Sequence, residues 1–172
     1  MRLFFAVGFS EAEKNVISEN VASLKKMCVR GNFTRRENLH ITLAFLGEVD
    51  RASLKSVIEA AARVDFSPFD IAVGGAGKFG NIVWLGVGGD EIKRLAGHLR
   101  ASLDKSGIYY DRKPFSPHLT LCREAEFQPG YDAENFNAAV RSFDKRVVSF
   151  DLMESTRIDG RLVYKKIYTR KF

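Results

Sequence analysis

Apolar residues fall into short runs separated by charged or glycine-rich stretches, and the period of each run sets the element it predicts. Arg2-Leu3-Phe4-Phe5-Ala6-Val7 is a compact apolar run with aromatic content and reads as a strand. Ser10 and Glu13 form a capping box, and Ile17, Val21, Leu24 and Cys28 then recur at helical spacing, so a first amphipathic helix is expected with Gly31 as its stop. Leu39 to Leu46 reads as a strand, and Asp50 can cap a second helix that buries Leu54, Val57, Ile58 and Ala61. Phe69, Ile71 and Val73 alternate, and Ile82 to Val87 is a denser apolar run. These are two neighbouring strands, joined by a flexible glycine-rich turn at Gly74 to Phe79. Ile92, Leu95, Leu99 and Leu103 form the stripe of a third helix, ended by Gly107. Phe115 to Cys122 is another strand, and Phe136, Val140 and Phe143 suggest a short fourth helix. Two final runs flank Asp159-Gly160, a hairpin signal because both turn residues must tolerate positive φ.

Strands and helices do not alternate as a doubly wound sheet requires. Adjacent strands and a hairpin point instead to an α+β fold with mainly antiparallel sheets. No composition shift or linker divides the chain, so residues 1–172 are read as one domain.

Composition narrows the class. Hydrophobic residues make up 45% and charged residues 28%, which is globular and excludes a disordered or collagen-like chain. The longest uncharged stretch, Phe79 to Gly89, has eleven residues, four of them glycine. A membrane-spanning helix needs roughly 20 mostly apolar residues, so none is expected. The first residues are not expected to form a secretory signal, because Glu11 and Glu13 follow a short apolar run. Cys28 and Cys122 make no disulfide framework, so a reducing cytoplasm is the expected setting. A monomer is the expected state. The net charge of +6 favours an anionic partner such as nucleic acid or phosphate. Six of the bases fall in residues 157–172, and Lys25, Lys26, Arg30, Arg35 and Arg36 form a second cluster.

The candidate chemistry lies in a repeat. Leu39-His40-Ile41-Thr42-Leu43 and Pro117-His118-Leu119-Thr120-Leu121 are nearly the same sentence, with their histidines 78 positions apart. Side chains in a strand alternate between faces, so each histidine shares a face with its threonine while the aliphatic residues point to the core. Strict alternation adds Ala44 and Cys122 to the polar faces, two small residues that leave room for a ligand. It sends Arg123 to the core side unless the strand ends before it. Neutral imidazole takes a proton and imidazolium gives one near neutrality. One of each across a phosphorus atom suffices for in-line displacement, and two threonine hydroxyls can donate to the non-bridging oxygens. No acidic cluster of metal-ligand spacing lies near either histidine, so neither metal nor cofactor is expected. His98 lies off the apolar stripe of its helix and reads as exposed.

At these residues the chain resembles the two-histidine (2H) phosphoesterase superfamily, whose mark is two His-x-Thr/Ser-x motifs, one per lobe. The closer similarity is to its bacterial and archaeal RNA 2′,3′-cyclic phosphodiesterases, also called 2′-5′ RNA ligases. It runs through Arg2-Leu3-Phe4-Phe5-Ala6, through Glu37 to Val49 almost throughout, and through Phe115 to Arg123, with Cys122 where a small residue such as alanine is usual. Ser155, Gly160 and Tyr164 echo the family's closing hairpin. The resemblance implies a bilobal α+β fold of pseudo-twofold duplicated lobes, antiparallel sheets around a central cleft and helices outside. It implies hydrolysis of a nucleoside or RNA-end 2′,3′-cyclic phosphate to a 2′-phosphomonoester, with slow reverse 2′-5′ ligation. His40 becomes the proton donor to the leaving 3′ oxygen and His118 the proton acceptor that activates water, although the symmetry permits the exchange of these roles. Thr42 and Thr120 hold the phosphoryl oxygens, and Arg123 is a further candidate for the phosphate.

Other signals carry less. Gly74-Gly75-Ala76-Gly77-Lys78-Phe79 fails as a phosphate loop, since Phe79 replaces the hydroxyl residue that would hold magnesium. Trp84 is expected in the core, and Phe33 or Tyr110 is a candidate to stack on a nucleobase at the cleft rim. Two alternatives stand beside the leading reading: a non-catalytic RNA-binding module, which has no use for paired imidazoles, and a relative with the same chemistry on another phosphodiester.

Overall fold

The computed structural model describes residues 1–172. The elements run β1 (Arg2–Val7), α1 (Glu11–Met27), β2 (Cys28–Phe33), β3 (Ile41–Glu48), α2 (Leu54–Ala62), β4 (Phe69–Phe79), β5 (Ile82–Gly88), α3 (Asp90–Lys105), β6 (His118–Phe127), α4 (Ala133–Ala139), β7 (Phe143–Val147), β8 (Ser149–Ile158) and β9 (Arg161–Lys171). All strands join one antiparallel sheet in the order β7-β4-β5-β6-β3-β1-β8-β9, with β2 paired to β6 off that path. The expected α+β class is what the chain adopts.

The sheet has two halves of matching plan, β6-β5-β4-β7 and β3-β1-β8-β9, each led by a strand of the histidine repeat. They meet at β3 and β6, where the ladder consists of one pair, Ile41 with Leu119. Helices α1 and α4 pack together on the first half, and α2 and α3 pack together toward the second. The helices cover one continuous core that includes Phe5, Leu24, Ile41, Leu85, Leu99, Leu119, Phe136 and Phe150, whose burial removes apolar surface from water at about 25 cal/mol per Å². The opposite face of the sheet is left for the cleft. No helix is long and apolar enough to cross a membrane.

Local signals explain most element ends. Ser10 Oγ accepts from the Glu13 amide at 3.2 Å and Glu13 Oε2 accepts from the Ser10 amide at 2.7 Å, completing the expected capping box. Asp159 and Gly160 both take positive φ in the β8–β9 turn, as that dipeptide requires. The β9 strand extends to the C-terminal residues, and its Arg170 Nε donates to Val64 O at 3.0 Å.

Several expectations need correction. Helix α1 stops at Met27 rather than Gly31, and the chain passes without a loop into β2. Gly31 lies inside that strand, where its missing Cβ leaves space for Cys122 Sγ. Gly74 to Phe79 is no flexible turn but the second half of β4, bulged at Gly75 with φ +69°, and the turn sits at Gly80-Asn81. Asp50 accepts from the Ser53 amide at 2.7 Å in the turn before α2, which starts one residue after Ser53. The strand expected at Phe115 begins at His118 and runs on to Phe127, and Phe143 opens β7 instead of closing α4. Trp84 is half-buried on the cleft face of β5, because Val83, Leu85 and Val87 take the core face.

Candidate active site

Strands β3 and β6 each carry a bulge at a matching place, and β3 has a second one at Leu46. Phe5 pairs with Ala44 and Ala6 with Thr42, which leaves Leu43 as the extra residue. Val83 pairs with Cys122 and Trp84 with Thr120, which leaves Leu121. A bulge puts two successive side chains on one face and then resumes alternation out of phase. Leu43 and Ala44 are therefore both in the core, as are Leu121 and Cys122. This corrects the expectation that Ala44 and Cys122 floor the cleft. It also brings Phe45 and Arg123 into the cleft lining, where unbroken alternation would have sent both to the core.

The five candidates the sequence offers, His40, Thr42, His118, Thr120 and Arg123, line one open cleft of about 630 Å³. The Ile41–Leu119 pair sets their register, with His40 across from Thr120 and Thr42 across from His118. The wall contains residues to which sequence reasoning gave no role: Arg2, Phe4, Asn38, Ser155, Thr156, Arg157 and Tyr164. Most come from β1 and the β8–β9 hairpin, and long-range pairing of Arg2 with Ser155 and Ser155 with Tyr164 gathers them. No local pattern signals that pairing.

The two histidines are held alike. His40 Nδ1 lies 2.7 Å from Asn38 O, and His118 Nδ1 lies 2.7 Å from Ser116 O. A carbonyl oxygen only accepts, so Nδ1 carries the proton in both rings and Nε2 is left for chemistry. His40 Nε2 meets Thr42 Oγ1 at 3.0 Å, and the hydroxyl is the donor there while the ring is neutral. The Asn38 side chain adds a tie of its own, since its Nδ2 donates to Leu162 O at 3.1 Å and fastens the closing hairpin to the first motif. Phe4 and Tyr164 pack on His40 with centroids at 5.0 and 5.1 Å, while Phe79 meets His118 edge-on at 5.3 Å.

The electrostatics favour an anion. Arg2, Arg123 and Arg157 line the cleft and no carboxylate does. Burial pushes His40 below the ordinary imidazole range; the Asn38 carbonyl opposes this, and the nearby charges of Arg123 and His118 add to it. Burial also pushes the Tyr164 phenol up, so it stays a donor at neutral pH. A bound phosphate would reverse the repulsion felt at His40 and favour its protonated form.

The remaining candidates fall elsewhere. Phe33 and Tyr110 do not line the cleft. Tyr110 is buried, its hydroxyl donates to Asp104 at 3.1 Å, and the Arg112 guanidinium covers its ring. His98 is exposed, as expected, with its ring against Phe66. Lys25, Lys26, Arg30, Arg35 and Arg36 stay off the cleft, and two of them pair with acids: Arg30 with Glu126 and Arg36 with Glu11. No group of three or more His, Cys, Asp or Glu side chains has a metal-binding arrangement.

The family model described as 2′-5′ RNA ligase superfamily matches residues 16–155. The chain belongs to that superfamily. Among 2′-5′ RNA ligase relatives, an RNA 2′,3′-cyclic phosphodiesterase of Archaeoglobus fulgidus is 33% identical over 97% of this chain and 98% of its own length. The crystal structure of Escherichia coli LigT in apo form superposes with a TM-score of 0.81 at 29% identity, covering 99% of this chain and 96% of that one. The same enzyme complexed with 3′-AMP gives 0.79 at 28% identity over 99% of this chain and 96% of that one.

Proposed function

We propose that this protein hydrolyses RNA or nucleoside 2′,3′-cyclic phosphates to 2′-phosphomonoesters without a metal, and runs the related 2′-5′ ligation when a hydroxyl replaces water. One observation carries the reading: two imidazoles, each pinned through Nδ1 to a backbone carbonyl, present Nε2 to the same carboxylate-free cleft. The cyclic phosphodiesterase relatives and the 3′-AMP complex of a similar enzyme support the substrate class.

In this mechanism His118 Nε2 takes a proton from water as its oxygen attacks phosphorus. His40 Nε2 gives a proton to the departing 3′ oxygen, and the 2′ ester bond is kept. Thr42, Thr120 and Arg123 donate to the non-bridging oxygens as charge builds there. The register that sets each threonine opposite the other motif's histidine supports a phosphoryl group held between acid and base, as in-line geometry demands. Strain in the five-membered ring and an intramolecular leaving group let so sparse a site succeed. Both motifs come from one chain, so a monomer carries the whole site, and the free thiols of Cys28 and Cys122 suit a reducing cytoplasm.

The test is incubation with 2′,3′-cyclic AMP and separation of the isomeric products. An exclusive 2′-phosphate is expected. A 3′-phosphate product, or no turnover, overturns the reading.

A further inference from the structure

The aromatic rings at the two histidines differ in a way that hydrolysis does not use. Phe4 and Tyr164, beside His40, are part of the cleft wall, and Phe4 is buried. Phe79 and Trp84, beside His118, lie just outside the lined cleft, and Phe79 is 44% exposed. Their centroids are 4.9 Å apart with planes tilted by 37°, and Trp84 lies 6.4 Å from the His118 ring. Glycines make room for this pair. Gly77 faces Trp84 across the β4–β5 ladder, and a Cβ there would meet the indole ring. Gly86 faces His118 across the β5–β6 ladder, so no side chain stands between that imidazole and the strand beside it.

We propose that Phe79 and Trp84 form a stacking subsite for the nucleoside that brings an attacking 5′-hydroxyl to His118. This rests on the function proposed above and on His118 as its base. In-line displacement puts the entering group opposite the leaving 3′ oxygen. If His40 serves the leaving oxygen, whatever adjoins His118 and not His40 adjoins the entering group. Water needs no platform there, but a nucleoside does, and every base has a face to stack on an exposed ring. The 5′-oxygen forms the new bond to phosphorus as the bond from phosphorus to the 3′ oxygen breaks. The 5′-hydroxyl proton goes to His118 Nε2 and the His40 Nε2 proton goes to the 3′ oxygen, leaving a 2′-5′ diester and a free 3′-hydroxyl. The other side of the cleft, with Arg2, Arg157, Ser155 and Thr156, is left for the strand that ends in the cyclic phosphate.

The experiment gives the enzyme 2′,3′-cyclic AMP with either adenosine or the base-free acceptor methyl riboside, and measures diester against 2′-AMP from the same reaction. This ratio compares two nucleophiles for one bound phosphate. Wild type should favour adenosine over methyl riboside. In Phe79→Ala the ratio with adenosine should fall about tenfold or more, the lower range for one stacked base, and Phe79→Tyr should restore it. Tyr109→Ala, at an exposed ring elsewhere, should leave the ratio unchanged. Hydrolysis by wild type with no diester, equal use of the two acceptors, or an unchanged ratio in Phe79→Ala each overturns the subsite. Absence of hydrolysis by wild type overturns the proposed function itself, and the subsite with it.

Discussion

Phe45 and Arg123 hold matching positions in the two halves of the molecule, each two residues beyond a bulged leucine and each turned into the cleft. Their chemistry differs. One half offers a guanidinium directly, and the other offers a ring over which the Arg2 guanidinium lies at 5.0 Å. The cleft is thus symmetric in its two histidines and asymmetric in how its positive charge is supplied.

Arg123 should therefore matter more than a surface cation. Arg123→Ala is expected to lower kcat/KM for 2′,3′-cyclic AMP about tenfold to a hundredfold, the range for losing hydrogen bonds to a charged group. Arg123→Lys should recover part of that loss, since it restores charge but not the planar fork. Steady-state kinetics on the purified variants give the comparison, and an effect below twofold would remove Arg123 from the site.

The pH profile of kcat/KM should be bell-shaped, because one imidazole must be protonated and the other neutral. One limb belongs to His40, which burial and the charges of Arg123 and His118 hold below the ordinary 6.5. That limb should lie below 6.5 in wild type and move upward in Arg123→Ala. The same depression has a sign for folding. Below the unfolded value the native state binds fewer protons at this ring than the unfolded chain, so stability drops as pH falls from 6.5 through the folded value. Urea midpoints across that window should show less of this acid loss in His40→Ala.

His40→Ala and His118→Ala should each cut turnover about 10²- to 10⁴-fold, the usual contribution of a positioned acid or base. Circular dichroism and thermal melts should show a retained fold, since neither ring belongs to the apolar core. Near wild-type hydrolysis by either variant would contradict two-histidine catalysis.

The plan of the molecule is largely legible in the chain, because the His-x-Thr repeat is local and the helices carry clear apolar stripes. What stays hidden is instructive. A bulge depends on how a neighbouring strand pairs, so Leu43 and Leu121 look like ordinary strand residues, and unbroken alternation misplaces Ala44, Cys122 and Arg123 with them. Strand β2 has no local signal, because Cys-Val-Arg-Gly-Asn-Phe has a glycine and no alternation, and pairing with β6 creates it. Trp84 looks like core because its run is apolar throughout, although β5 has a cleft face as well. The hairpin's share of the cleft depends on contacts across more than a hundred residues, as between Asn38 and Leu162.

Activity should persist in EDTA. The cleft offers arginines, hydroxyls and two imidazoles but no carboxylate, a poor donor set for magnesium or calcium. An assay with 2′,3′-cyclic AMP before and after chelation decides it, and loss reversed by a divalent ion would refute a metal-free reaction.

Gly31 should resist substitution. A Cβ there would collide with Cys122 Sγ. Gly31→Ala is expected to destabilise the fold by about 1–3 kcal/mol, the usual cost of overpacking. Adding Cys122→Ala should relieve much of it, because the sulfur is the obstructing atom. Urea unfolding of the two single variants and the double variant measures the coupling.

The lone Ile41–Leu119 pair at the seam has a mechanical consequence. The two histidines reside on separate halves, so the spacing of the proposed acid and base is governed by how the halves are braced. In the proposed mechanism a phosphate gripped by both motifs would act as a cross-brace at that joint, stiffening the enzyme while it holds the group it transforms.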